Sequence, residues 1–310
     1  MKALGHRASA ILLAAAAATA SALLLAPGRA EAAITSCSVS TSGVAFSPYN
    51  GQTKSAVDGT GTITVTCSGS GSNNAAALHI TGGSANSCTA RVMKNGVNDL
   101  GYQIYRDAAR TSNFCAGTDR LNLSFTFAGV PVTQTITMYG RVASMQNPAY
   151  TTTPYTDSLT VTLRQGTTSS GAVLGVTTPS ISGSVAANCT VSAGSLGFGT
   201  YNTTTAATAT ATVTVNCSNG ASYQVGLGGG SNLNGSTRRM AGPAGARLSY
   251  DLYSNSGRTI AWGDGTALGA KVSGTGSGAS QGLVVYGRIP AGQLPTPGSY
   301  ADSVVVTVDY

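Results

Sequence analysis

Few side chains in this 310-residue chain could do chemistry. Past residue 32 there is no glutamate and the one histidine is His79; nine aspartates, three lysines and eleven arginines carry the charge. Asp157 and Asp302 stand at matched places in "YTDS" and "YADS". Two carboxylates can serve general acid–base catalysis, but a motif repeated after a tyrosine reads better as a turn or strand-start element. "GDGTALG" at 263–269 has the glycines of a phosphate loop, yet no predicted helix follows to aim its amides at a phosphate. The six cysteines (Cys37, Cys67, Cys88, Cys115, Cys189, Cys217) include no C-x-x-C pair, which argues against zinc and for disulfides. The expectation is a protein that is not an enzyme and holds neither cofactor nor metal.

Met1 to Ala32 reads as a secretory signal: Lys2 and Arg7, then "AILLAAAAATASALLLA", then the small-residue site "AEA". The exported chain then starts at Ala33. Its charged residues are scattered, with a net charge of about +5, so they make no nucleic-acid footprint. Abundant Gly, Ser and Thr, without long runs of helix formers, predict an all-β protein of many short strands.

The chain repeats itself. "CSVSTSGVAFSPY" and "CTVSAGSLGFGTY" share the spacing from cysteine to phenylalanine (Cys37 to Phe46, Cys189 to Phe198) and to tyrosine (Tyr49, Tyr201). "TITVTC" then matches "TVTVNC", Arg91 and Met93 match Arg238 and Met240, and "LGYQIY" matches "LSYDLY". "YGRV" matches "YGRI", with Arg141 and Arg288 predicted to serve a strand face or a structural ion pair. Because the second copy has only Cys189 and Cys217, these pair; Cys37 then pairs with Cys67 and Cys88 with Cys115. Predicted strands fall near 37–47, 61–67, 75–82, 100–106, 121–127, 133–141 and 157–164, and near 189–199, 210–217, 222–227, 247–253, 282–289 and 300–310. They predict two immunoglobulin-like antiparallel sandwiches in tandem. The boundaries are 33–165 for domain one, 166–186 for a linker able to supply its last strand, and 187–310 for domain two.

The order Cys, Phe-x-x-Tyr, "TVTVNC", Arg-x-Met, "LSYDLY", "WGDG", "VYGRIP" and "GSYADSVVVTV" resembles the spore coat protein U domain, which archaic (Csu-type) chaperone–usher pilins share. The resemblance covers the second copy from end to end. The first copy lacks the Trp262 motif and has an extra cysteine pair, so it resembles the family more loosely. The two-domain arrangement is similar to a pilus tip adhesin.

The resemblance implies that domain two is an incomplete sandwich lacking its last strand. Residues 172–186 can complete domain one, with Val173, Leu174, Val176, Ile181 and Val185 supplying apolar side chains. Domain two is expected to leave an acceptor groove among Val191, Phe198, Val304, Val306, Val308 and Tyr310. An unpaired edge over an unfilled core is a liability, and donation of a strand by another chain relieves it. The implied partners are a periplasmic chaperone, an outer-membrane usher and the next pilin subunit. Ahead of Cys37 stands only "AITS", Ala33 to Ser36, too short to donate a strand in return. That places the chain at the pilus tip on the cell surface, attaching to abiotic or host surfaces and forming biofilm. The alternatives are a secreted coat or matrix protein of two closed domains, and a carbohydrate-binding module.

For the adhesive pole, alternating strand directions put loops 48–60, 83–99 and 128–132 and the turn at 166–171 away from domain two. The surface-binding candidates are Phe127, Val130, Pro131 and Val132 in "FAGVPV", with Tyr49 and Val57 beside them. Val130 and Val132 could equally cover a hairpin end in the core. The rival loop 143–155, with Met145, Pro148 and Tyr150, counts toward domain two.

Overall fold

The computed structural model describes residues 33–310; the secretory signal predicted at 1–32 lies outside them. Every regular element longer than a short 3₁₀ turn is a strand. In Val57–Ser70 the threonines alternate with Ile63, Val65 and Cys67, all fully buried, so one face of the strand builds the core. The matching strand Ala207–Cys217 buries Val213, Val215 and Cys217 in the same way.

Domain one is a sandwich. Its larger sheet runs Ala33–Thr41, Val57–Ser70, Val132–Val142, Asn98–Tyr105, Arg91–Asn95, Tyr155–Ser158, Ser180–Gly183 and Val44–Ala45. The smaller runs Val173–Thr177, Val161–Gln165, Asn74–Ile80 and Leu121–Phe125, and one apolar cluster fills the space between them. The segment after Gln165 borders both sheets. Val173–Thr177 lies antiparallel to Val161–Gln165, and Ser180–Gly183 lies between Tyr155–Ser158 and Val44–Ala45. Val185–Ala186 then runs parallel to Tyr49–Asn50. Ile181 and Val185 drop into the core, 0% and 3% exposed.

Domain two repeats the plan with fewer strands. One sheet holds Cys189–Ala193, Ala207–Cys217, Ser280–Ile289, Arg247–Tyr253 and Arg238–Ala241. The other holds Val272–Thr275, Ser222–Leu227 and Val306–Asp309. Among the described residues, none pairs where the closing segment sits in domain one. The disulfides are Cys37–Cys67, Cys88–Cys115 and Cys189–Cys217, as the repeat requires.

The domains touch through hydrogen bonds. Gln52 Nε2 donates to the carbonyls of Asn188 and Asn216. The Tyr150 amide donates to Asn219 O at 2.6 Å, and Asn219 Nδ2 returns a bond to Asn147 O at 3.1 Å. Loop 143–150 therefore faces domain two. Loop 48–56 does so as well, which corrects its expected position at the opposite pole.

Candidate strand-acceptor cleft

The repeat permits a residue-by-residue comparison of a closed sandwich with an open one. Val44, Phe46 and Tyr49 are buried in domain one, whereas their counterparts Leu196, Phe198 and Tyr201 are only partly covered. Tyr155, Leu159, Val161 and Leu163 are fully buried; Tyr300, Val304, Val306 and Val308 are not. The difference lies along one line, the path of residues 173–186 in domain one. In domain two that line is a cleft of about 360 Å³ walled by Leu196, Phe198, Met240, Tyr300, Val304 and Val306. A second recess of about 660 Å³ continues past Phe198, Met240 and Tyr300 toward Tyr201. The cleft's other end is narrow, because Cys189–Ala193 and Val306–Asp309 approach each other directly.

Of the expected groove residues, Phe198, Val304 and Val306 line the cleft. Val191 and Val308, both partly buried, belong to the strands flanking its narrow end. Tyr310 does not wall it: the ring is 61% exposed and borders a shallow recess beside Tyr223 and Gly274.

The matched aspartates anchor the wall. Asp157 accepts bonds from the Tyr102 hydroxyl at 2.6 Å and the Ser84 amide at 2.9 Å. Asp302 accepts the same pair from Tyr250 at 2.7 Å and Ser231 at 2.8 Å. Each aspartate enters where a glycine has no side chain, Gly83 (φ +67°) or Gly230 (φ +78°), and an added Cβ there would collide with the carboxylate. Asp157 lies in Tyr155–Ser158 and Asp302 ahead of Val306–Asp309, each holding a glycine turn of another segment. Burial, and then the bond to the aspartate, raises the Tyr102 and Tyr250 phenols well above the usual tyrosine value.

A raised folded-state pKa stabilises the fold below the unfolded value, about 10, and that contribution fades as pH climbs further. Urea stability should therefore fall between pH 9 and pH 11.5 by up to ~1.4 kcal/mol per pH unit for each phenol. Tyr102→Phe and Tyr250→Phe should each flatten the slope. An unchanged slope would show that these phenols are not held neutral by the fold.

Two further devices escape the sequence reading. Gln146 bonds Gly101 through both side-chain ends and its amide donates to the Tyr49 hydroxyl at 2.9 Å. Gln293 does the same with Ser249 and Tyr201. The signal was present: both glutamines lie at the same distance past the arginine of "YGRVASMQ" and "YGRIPAGQ". The glycine of "YGR" is also accounted for, since a Cβ on Gly140 would sit 2.7 Å from Phe46 and one on Gly287 2.8 Å from Phe198. Arg141 pairs with Asp58 at 2.7 Å on the surface, while Arg288 lies exposed on its strand.

The surface-binding candidates separate. Val130 is 64% exposed and Pro131 is exposed beside it. Their loop meets the turn at residue 71 and the end of Val57–Ser70 paired with Ala33, opposite the end that faces domain two. Phe127 is a correction: its ring is 7% exposed and stacks on Phe125 within the core. Tyr49 is another, fully buried at the wrong end with its hydroxyl bonded to Gln146. Val57 packs on the core and pairs with Val142 at that same wrong end, and Val132 is partly buried against the core.

The chain is 39% identical over 74 residues to Protein U of Myxococcus xanthus, a match spanning 24% of this chain and 40% of that protein. It is similar in structure to the tip adhesion subunit complex CsuC–CsuE of Acinetobacter baumannii Csu pili, with 16% identity and a TM-score of 0.46, over 76% of this chain and 84% of that one. It is also similar to the CupB6 tip adhesin of Pseudomonas aeruginosa, with 12% identity and a TM-score of 0.41, over 89% and 94% of the two chains. The Spore Coat Protein U domain profile matches residues 24–162 and again 176–307, one match to each copy of the repeat, and the chain therefore belongs to the Spore Coat Protein U domain family.

Proposed function

We propose that this protein is the tip adhesin of a chaperone–usher pilus, with domain two accepting a donor strand from a chaperone and then from the next subunit. One observation carries the reading: the same sandwich occurs twice, closed by residues 173–186 in domain one and open along the same line in domain two. A partly covered apolar wall beside unpaired strand edges fits an incoming strand, which supplies backbone bonds and side chains together. Ala33 and Ile34, ahead of the first cysteine, are paired with Ser70 and Gly69 in their own domain and are not free to serve as a donor. Exported without a partner, the chain should lose domain two to limited proteolysis and leave a resistant domain-one fragment. A domain two that resists as well as domain one rejects the reading.

The exposed loop Ala128–Pro131 is the surface-attachment site in this proposal. It presents apolar side chains at the pole away from domain two, where burial against a greasy surface is favourable. Val130→Asp should abolish attachment to hydrophobic plastic and biofilm formation, with export and thermal stability unchanged because the side chain is exposed. Attachment at the wild-type level would move the site elsewhere.

A further inference from the structure

Three basic side chains gather on the solvent side of the smaller sheet of domain one. His79 lies opposite Thr162, and Arg164 lies one turn of the pleat along, opposite Ala77. Arg120 precedes Leu121, the partner of Leu78, which brings it up on the other side of His79. Among the described residues, neither arginine makes an ion pair. His79 is only 6% exposed and its Nε2 has no hydrogen-bond partner; the buried Nε of Arg120 has none either. The turn "GTTSSG" at 166–171 closes over this face. Arg164 Nη1 donates to Gly171 O at 3.0 Å, and the imidazole is bonded to the Thr168 backbone.

Domain two shows what the same row looks like when it is neutral. "YTDSLTVTLR" and "YADSVVVTVD" align Arg164 with Asp309, and the strand registers then align His79 with Gly226 and Arg120 with Lys271. Lys271 Nζ reaches Asp309 Oδ2 at 2.6 Å, with its Cε 3.5 Å from where a Cβ on Gly226 would stand. In domain one a second guanidinium replaces the carboxylate, and an imidazole fills the lane that the lysine takes. An oxyanion placed where the Asp309 carboxylate stands would answer both guanidinium groups through charge-assisted bonds, which are the strong kind. Because Nε2 is unbonded, the bond to Thr168 falls to Nδ1, and Nε2 is left to carry a proton toward the anion.

We propose that domain one binds an oxyanion, a sulfate, phosphate or carboxylate group, on Arg120, Arg164 and His79 beneath the turn 166–171, and that His79 takes up a proton from solvent with it. Burial, then Arg164 and Arg120, the charged groups that face the ring, hold the empty site's imidazole below the usual histidine value, with the Thr168 bond opposing. A bound anion reverses the sign of the local charge and raises it.

His79 is the one histidine past residue 32, so the imidazole resonances of the chain from Ala33 report the site directly. Inorganic sulfate, exchanged for chloride at constant ionic strength, should shift them saturably and raise the His79 titration midpoint by about 1 unit. Sulfate should then bind about tenfold more tightly below both midpoints than above both. Arg120→Gln should weaken binding roughly tenfold. Arg164→Asp, which installs the carboxylate of domain two, should abolish the response. Trp262, the sole tryptophan and 1% exposed, reports domain two, and its unfolding transition should not move in any arm. An imidazole resonance outside the unfolded range shows that each variant is folded. Dextran sulfate acting at about tenfold lower sulfate concentration than the inorganic ion, with uncharged dextran inert, assigns the group to a polymer; equal action assigns it to a free ion, and either upholds the site. No saturable shift with sulfate, phosphate or acetate, or a shift kept in full by Arg164→Asp, overturns it.

Discussion

Adding a second copy of residues 166–186 directly after Tyr310 should close domain two and raise its unfolding temperature by about 10 °C or more. In domain one this segment leaves Gln165, turns back and enters the gap beside Tyr155–Ser158. Gln165 and Tyr310 hold corresponding places in the repeat, so the added segment starts where it starts in domain one. Covering ~200 Å² of the apolar wall is worth ~5 kcal/mol, and ordering the new segment offsets part of that gain. Trp262 fluorescence follows the transition. An Ile181→Asp change in the added copy should cancel the gain, because it puts a carboxylate against Leu196. An unaltered Trp262 transition in the extended chain would mean that domain two is already complete.

The second large effect concerns a buried cation. Arg91 is 1% exposed and ties two loops to a strand, donating to Thr81 O at 2.9 Å, Phe114 O at 2.7 Å and, on Asn98–Tyr105, Gln103 Oε1 at 2.6 Å. Burial lowers its pKa, with Tyr102 and Asp157 opposing. Arg91→Met should destabilise domain one by about 3–5 kcal/mol, because several buried acceptors lose their partner at once. The part of the near-ultraviolet tyrosine signal that comes from the six tyrosines of domain one should melt early while the Trp262 transition stays in place. Arg238→Met is the reciprocal experiment. Its guanidinium holds Leu227 O at 2.7 Å, Gly228 O at 2.8 Å and Trp262 O at 3.0 Å, so there the tryptophan transition moves. A loss under about 1 kcal/mol in either variant would show that water replaces the guanidinium without penalty.

The central strands were legible because their alternation is plain: "TITVTC" and "TVTVNC" bury every second residue. Arg91–Asn95 and Arg238–Ala241 were not expected as strands, since each is short and opens on an arginine that looks like surface and is buried. The strand expected over 37–47 breaks at Gly43 (φ +72°) before Val44 pairs elsewhere. The one expected over 157–164 divides into Tyr155–Ser158 and Val161–Gln165, which belong to different sheets. A count of alternating strands goes wrong when two are divided and one is missed, and that misplaced Tyr49 and Val57. The cleft fared better. Its walls are the matched tyrosine, phenylalanine and valine positions of a repeat, and these can be read without knowing any strand direction.

The junction between the domains has a mechanical consequence. Gln52 and Tyr150 grip domain two at Asn188, Asn216 and Asn219, immediately around the covalently joined Cys189 and Cys217. A pull on domain one therefore enters domain two at its cross-linked corner and spreads into Ala207–Cys217, the strand flanked on both sides by backbone ladders. Leu196, Phe198 and Tyr300 lie away from this entry point, so in the proposed assembly the load crosses the ladders of Ala207–Cys217 before it reaches a strand held in the cleft.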